Sequence, residues 1–325
     1  MMKKAGYALM LMAALAAPFY FYPVLLMKIL CFALFACAFN LLIGFTGLLS
    51  FGHAAFFGGA SYFAGHALKV WGMPTEVGLL IGTAGAALTG LVIGGLAIRR
   101  QGIYFTMITL ALAQMLFFVF LQAPFTGGED GLQSIPRGLL LGMIDLRNDM
   151  TMYYVVLAIV MAAFLLIVRV IHSPFGQVLK AVRENEPRAI SLGYDVDRYK
   201  LLAFVLSAAL AGLAGSTKAL VLGFGTLTDV HWSMSGLVVL MTLVGGMGTL
   251  VGPVIGAIII IALENKLGDF GTWLAGVTQI EWFNTIGESV TMVTGLIFVI
   301  CVLAFRRGII GELAARVGRT PGKVV

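Results

Sequence analysis

Charge is what this sequence has least of. Only 11% of its 325 residues are Asp, Glu, Lys or Arg, while 60% are hydrophobic; soluble domains average about 25% charged. A chain so short of charge cannot cover a globular surface with solvated groups, and its long apolar runs read instead as membrane spans. The net charge of +6 then needs no nucleic acid to explain it, because Lys and Arg accumulate on the cytoplasmic side of membrane proteins. Cysteine is almost missing. Cys31, Cys37 and Cys301 fall inside apolar runs without a CxxC pair, so they read as packing residues and imply neither disulfide nor zinc.

Several kinds of chemistry are missing too. A phosphate-binding loop needs GxxxxGK[ST]; the one Gly-Lys pair, Gly322-Lys323, is followed by Val324. Asp229 and His231 have no third ligand nearby, so no metal site is read there. No nucleophile stands beside a base, so no catalytic residues are assigned and an enzyme is not expected. Ion-coupled carriers usually keep ionisable residues in mid-span. Here Glu264 and Glu288 fall at the ends of apolar runs and Glu76 and Asp229 in loops, which disfavours proton or sodium coupling.

The runs that are present predict an all-α polytopic membrane helical bundle, a single transmembrane domain over 1–325. About ten spans are counted, and eight or nine also fit: Ala5–Tyr22, Val24–Gly44, Leu48–Leu68, Val77–Ile98, Ile103–Gln122, Thr151–Ile171, Leu201–Leu222, Met234–Gly248, Leu250–Leu263 and Thr285–Phe305. The first run follows Lys3 and Lys4, and its Ala14-Leu15-Ala16 also resembles a signal-peptide cleavage site. Broken or re-entrant helices are expected around Gly44–Gly59 and Gly245–Gly256, where glycine interrupts the runs. Placing both termini in the cytoplasm puts most of the 21 basic residues inside, including Arg99, Arg100, Arg169, Arg306, Arg307, Arg316, Arg319 and Lys323. Outside lie Ala123–Met150, with Glu129, Asp130, Asp145 and Asp149, and Asn265–Asn284, with Trp273, Glu281 and Trp282. Both loops offer a surface to a partner beyond the membrane.

The largest hydrophilic element, 173–200, then faces the cytoplasm. It carries Lys180, Arg183, Arg188, Arg198 and Lys200 against Glu184, Glu186, Asp195 and Asp197, too balanced to be a lipid-binding polybasic tract. Ser173 suits an N-cap with Pro174 at the first helical position. Pro187 ends that helix and starts another, with Glu186 at its positive end, and Gly193 suits a left-handed C-terminus. A solvated loop and a docking surface for a soluble partner both fit these features.

Small residues recur every fourth position at Gly78, Gly82, Ala86, Gly90 and Gly94, at Ser207, Ala211 and Gly215, and at Gly248, Gly252 and Gly256. Such stripes let helices approach closely, within this chain or in a second membrane subunit. His53 is the one titratable group expected well inside a span. It reads as a packed histidine bonded to a backbone carbonyl, or as a pathway contact.

Four segments carry a resemblance to a known family: Phe39–Tyr62 (FNLLIGFTGLLSFGHAAFFGGASY), Thr126–Leu132 (TGGEDGL), Val182–Gly215 and Gly245–Ala257 (GGMGTLVGPVIGA). The chain resembles the membrane permease subunits of branched-chain amino acid ABC importers, LivM type. The third segment is similar to the family's cytoplasmic coupling loop, with Glu186, Ala189 and Gly193 at the E-x-x-A-x-x-x-G positions. Pro187 and Arg188 stand where many such permeases have small residues. The resemblance implies ATPase docking by Arg183, Glu184, Glu186, Arg188, Ala189 and Gly193. It also implies a second homologous permease subunit, two ATPase subunits that bind ATP and Mg, and an extracytoplasmic substrate-binding protein, all at a bacterial inner membrane. No cofactor is then expected in this chain. A modestly polar passage for amino acids is expected from Asn40, Thr46, Ser50 and His53, and from Tyr104, Thr106, Thr109 and Gln114. A stand-alone secondary carrier or channel is the alternative.

Overall fold

The structure is a computed structural model that describes residues 12–278 and 308–316, together with 295, 296 and 299. Lys3, Lys4, Glu281, Trp282, Glu288, Cys301, Arg306, Arg307, Arg319, Lys323 and all but three residues of the expected span Thr285–Phe305 lie outside the described residues.

Among the described residues, five helices are long and apolar enough to cross a membrane: α1 (Pro23–Thr46), α3 (Thr75–Ala97), α4 (Ile103–Gln122), α5 (Asp149–His172) and α8 (Val196–Leu222). Between them come α2 (His53–Lys69), α6 (Pro174–Glu184) and α7 (Glu186–Ser191), and beyond them α9 (Trp232–Gly245), α10 (Gly252–Thr278) and α11 (Gly308–Arg316). The helix ends follow local chemistry. Pro23 starts α1 at a position whose N–H has no helical partner anyway, and Gly47, at φ +77°, ends it in the left-handed conformation. Asn148 caps α5 through Met150 N–H, and Asp195 caps α8 through Arg198 N–H.

Helices α1 and α8 are the most enclosed of the five, and α4 the least. Lipid is as apolar as leucine, so this order reflects van der Waals fit more than hydrophobic transfer. The stripe on α3 packs inside the chain. A Cβ at Gly82 would strike Ser216, one at Gly90 would strike Ala208, and one at Gly94 would strike Phe204, all on α8. Gly215 meets the carbonyl of Phe57 on α2, and Gly245 and Gly256 join α9 to α10. Aromatic rings fill the remaining interior, with Phe35 stacked on Phe57 at 4.4 Å and Phe204 edge-on to Phe56 and Phe105.

Two stretches break the helical run as expected. Residues 47–52 separate α1 from α2, and 246–251 separate α9 from α10, with Gly246 at φ +124° and Gly248 at φ +77°. Other expectations need correction. α10 continues through Thr278, so residues 265–278 are helical and not an outside loop, and Glu264 stands in mid-helix. The polar residues from 264 to 269 lower the hydropathy there, yet none of them breaks a helix. Glu76 belongs to the first turn of α3 and is not in a loop. The segment 123–148 holds two short 3-10 turns and a two-residue hairpin, β1 (Leu139–Leu140) with β2 (Ile144–Asp145). It is tied down by Arg137, which pairs with Asp149 at 2.6 Å and donates to the Val221 carbonyl.

Candidate functional site

The charged element between α5 and α8 is a built structure. Ser173 Oγ accepts from Gly176 N–H at 3.3 Å, and Pro174 opens α6. Asn185, overlooked in the sequence, is the cap that separates α6 from α7, accepting from Arg188 N–H at 3.1 Å. Gly193 takes φ +87° after α7. Ala189, Leu179, Val182 and Val196 are buried and hold the two helices against the base of α8.

Its charged side chains divide by role. Arg183 donates to the carbonyl of Gly44 near the end of α1. Glu186 accepts from Lys200 Nζ at 2.6 Å and from Gln101 Nε2 at 2.8 Å, which links α7 to α8 and to the α3–α4 turn. Lys200 is only 2% exposed. Both groups are therefore engaged within the chain. Glu184, Arg188, Ile190, Leu192 and Tyr194 face outward. Exposed apolar side chains on a short, capped helix and the turn that follows it offer a fixed surface to a partner.

The same end of the bundle holds the two helix breaks, and Asn40 stitches them together. Its Nδ2 donates to Thr249 O at 2.8 Å and its Oδ1 accepts from Gly248 N–H at 2.9 Å. Thr46 turns back onto the Leu42 carbonyl. Ser50 Oγ accepts from Gly52 N–H at 3.2 Å. The first residue of α2 is His53, fully buried among Phe39, Phe56 and Phe204. Its Nε2 lies 2.8 Å from Ser207 Oγ, whose own proton goes to Ala38 O at 2.6 Å. A hydroxyl has one proton to give, so Nε2 is the donor here and Nδ1 is left as a buried acceptor without a partner. The expected carbonyl partner is thus replaced by a side-chain hydroxyl. One residue on, Ser235 Oγ of α9 accepts from Ala54 N–H at 2.9 Å, meeting an amide that the short helix leaves open.

The pathway candidates sort in the same way. Asn40, Thr46, Ser50, His53 and Thr109 are buried, Gln114 is half-buried, and Thr106 donates to Leu49 O at 2.9 Å. Thr109 packs on Gly52. Tyr104 is 72% exposed and does not join them.

A second polar site went unread in the sequence. Lys218 of α8 and Asp229 are 5% and 2% exposed, with both carboxylate oxygens 2.5 Å from Nζ. Asp229, placed in a loop from the sequence, is therefore a buried carboxylate. Asp229 does lie in a connection, but that connection is folded into the bundle: a Cβ on Gly58 of α2 would strike the backbone of Asp229 and Val230. The available signal was Lys218 itself, a lone cation inside an apolar run, which requires a counter-charge. His231 instead accepts from Ser233 N–H and caps α9.

The sequence profile of the branched-chain amino acid transport system permease component matches residues 22–304. The chain belongs to this family. LivM, the high-affinity branched-chain amino acid transport system permease protein of Escherichia coli K12, is 27% identical over 257 residues, 72% of this chain and 60% of LivM. LivM of Salmonella typhimurium is 25% identical over the same shares. The autoinducer 2 import system permease protein LsrC of Klebsiella pneumoniae is 31% identical over 193 residues, 58% of this chain and 53% of LsrC. The match spans about three-fifths of the length of the two LivM relatives. Among solved structures, PsaBC from Streptococcus pneumoniae in complex with Fab aligns over 90% of this chain and 95% of that one, at 17% identity and a TM-score of 0.42. The family and the apolar helices make the protein a multi-pass membrane permease component.

Proposed function

We propose that this permease is the membrane-spanning subunit of an ATP-driven importer of branched-chain or related hydrophobic amino acids. The observation that carries the reading is the α6–α7 element: it is capped at both helices, tied to α1 by Arg183 and to α8 and the α3–α4 turn by Glu186, and it exposes Ile190, Leu192 and Tyr194. An element anchored to two helices and a turn between two more transmits a push as a rigid body. Its place is the cytoplasm, where ATPase subunits carrying ATP and Mg press on the exposed Glu184, Arg188 and Gly193 around α7, while Ala189, expected among the docking residues but buried, seats α7 against α8 and Arg183 and Glu186 relay the motion. The breaks at 47–52 and 246–251 and the polar seam from Asn40 to Thr109 line the passage. A second permease subunit completes it, and an external binding protein supplies the solute.

Co-expression with the ATPases, the second permease and the binding protein, followed by reconstitution in liposomes, tests this. Leucine uptake should require ATP and the binding protein. Uptake by this chain alone along an ion gradient would refute it and favour a secondary carrier, the reading that a buried Lys218–Asp229 pair would otherwise serve.

A further inference from the structure

Among the described residues, Lys218 and Asp229 form the one ion pair in which both side chains are almost fully enclosed. It is not simply packed away. Asp229 closes a small turn: Thr226 N–H and Oγ1 both donate to its Oδ2, at 3.3 and 2.9 Å. The ammonium of Lys218 lies 5.9 Å from the ring centre of Phe57 and 5.7 Å from that of Phe224, within cation–π range. One helical turn beyond Gly58, whose Cβ position abuts Asp229, the hydroxyl of Tyr62 is buried without a partner.

The segment that carries Asp229 has an unusual position. α9 is only 14 residues long, and the turns it lacks are replaced by residues 223–231. These residues fold inward against α2, and Gly225 forms a bridge to Leu132. They therefore stop the bundle at the end opposite α6 and α7, and the ion pair is the bolt of that stop. Pulling the pair apart in a low-dielectric interior would leave two bare charges, which is prohibitive unless something replaces each partner.

A zwitterion can do so. Its carboxylate satisfies Lys218 and its ammonium satisfies Asp229, so the two charges of the pair become four in series and none is left bare. We propose that Lys218 and Asp229 are the subsite that recognises the α-carboxylate and α-ammonium of the solute, and that the pair opens only around a zwitterion. Tyr62 supplies a further hydrogen bond, and the rings of Phe57 and Phe224 flank the ammonium of Lys218. A solute lacking either charge leaves one partner uncompensated and does not open the stop. This assignment rests on the importer reading above.

The test uses the reconstituted complex with leucine, comparing wild type with the double variant Lys218→Gln/Asp229→Asn, which keeps size and hydrogen bonding and removes both charges. Leucine delivered per ATP hydrolysed should fall at least tenfold. An unchanged ratio overturns the proposal and makes the pair a structural tie only. If the variant does not assemble, the wild-type complex decides: trapped with leucine and vanadate, it should hold the leucine carboxylate against Lys218 Nζ and the ammonium against Asp229. Leucine seated elsewhere with the pair still closed overturns it. Wild-type uptake that needs no ATP would sink the importer reading instead, and the wild-type complex with bound leucine would still decide on the pair.

Discussion

Gly215 offers a clean measurement of what holds the bundle together. It lies on α8 where a Cβ would overlap the carbonyl of Phe57, a backbone atom that no rotamer change can move away. Gly215→Ala must therefore push α2 from α8. Over-packing of this kind costs about 1–3 kcal/mol, and the higher helix propensity of alanine returns about 0.5–1 kcal/mol. The control is Gly95 on α3, where a Cβ would meet nothing within 4 Å. Gly95→Ala should gain the propensity term alone. The two variants carry the same chemical change in the same secondary structure, so their difference isolates close helix approach, at about 1–3 kcal/mol. Equilibrium unfolding of the purified protein in mixed micelles, titrated with SDS, reads that difference directly. If Gly215→Ala proves as stable as Gly95→Ala, the α2–α8 contact is looser than described and the small-residue argument fails.

The other predictions concern the two ends of the molecule. Asn40→Leu removes two hydrogen bonds from the 246–251 break and should cost about 2 kcal/mol, given about 1 kcal/mol per bond; it should also speed proteolysis there, and unchanged cleavage would count against the stitching role. Ile190→Asp with Leu192→Asp should reduce copurification of the ATPases at least tenfold with the melting temperature unchanged, whereas Arg183→Ala should lower both, because Arg183 is tied to Gly44. Normal ATPase recovery with the double variant would remove α7 as the docking surface. His53→Leu and Gln114→Leu should alter leucine uptake at normal membrane abundance, and Tyr104→Ala should leave it unchanged; the reverse pattern would place the passage on the other face of α4.

Much of this was readable in one dimension. The span Ile103–Gln122 was expected and found with the same ends, since glycine and Ala-Pro flank an uninterrupted apolar run. The cap at Ser173 and the left-handed Gly193 depend on neighbours within a few residues, and local chemistry is visible locally. The misses came from partners distant in sequence. The internal ties of Glu186, which the resemblance gave a docking role, went unread because Lys200 and Gln101 cannot be recognised as its neighbours from spacing alone. Asp229 was left in a loop because the inward fold of 223–231 is set by the absent side chain of Gly58 on another helix. α10 was cut short because hydropathy measures lipid affinity, and a helix continues through polar residues as long as nothing breaks its hydrogen bonds.

By itself, the order of residues determined the solvent this protein folds in, the helical kind of its apolar segments, the capped hydrophilic element between two of them, and its family. These follow from composition and short-range hydrogen bonding, which act over one or two turns. Only the tertiary structure decided which charges are spent inside the chain and which stay exposed, that His53 answers to Ser207, and that Lys218 meets Asp229. Those pairings join groups on different helices, and in an interior where an unpaired charge is prohibitive, the packing of helices selects the partner.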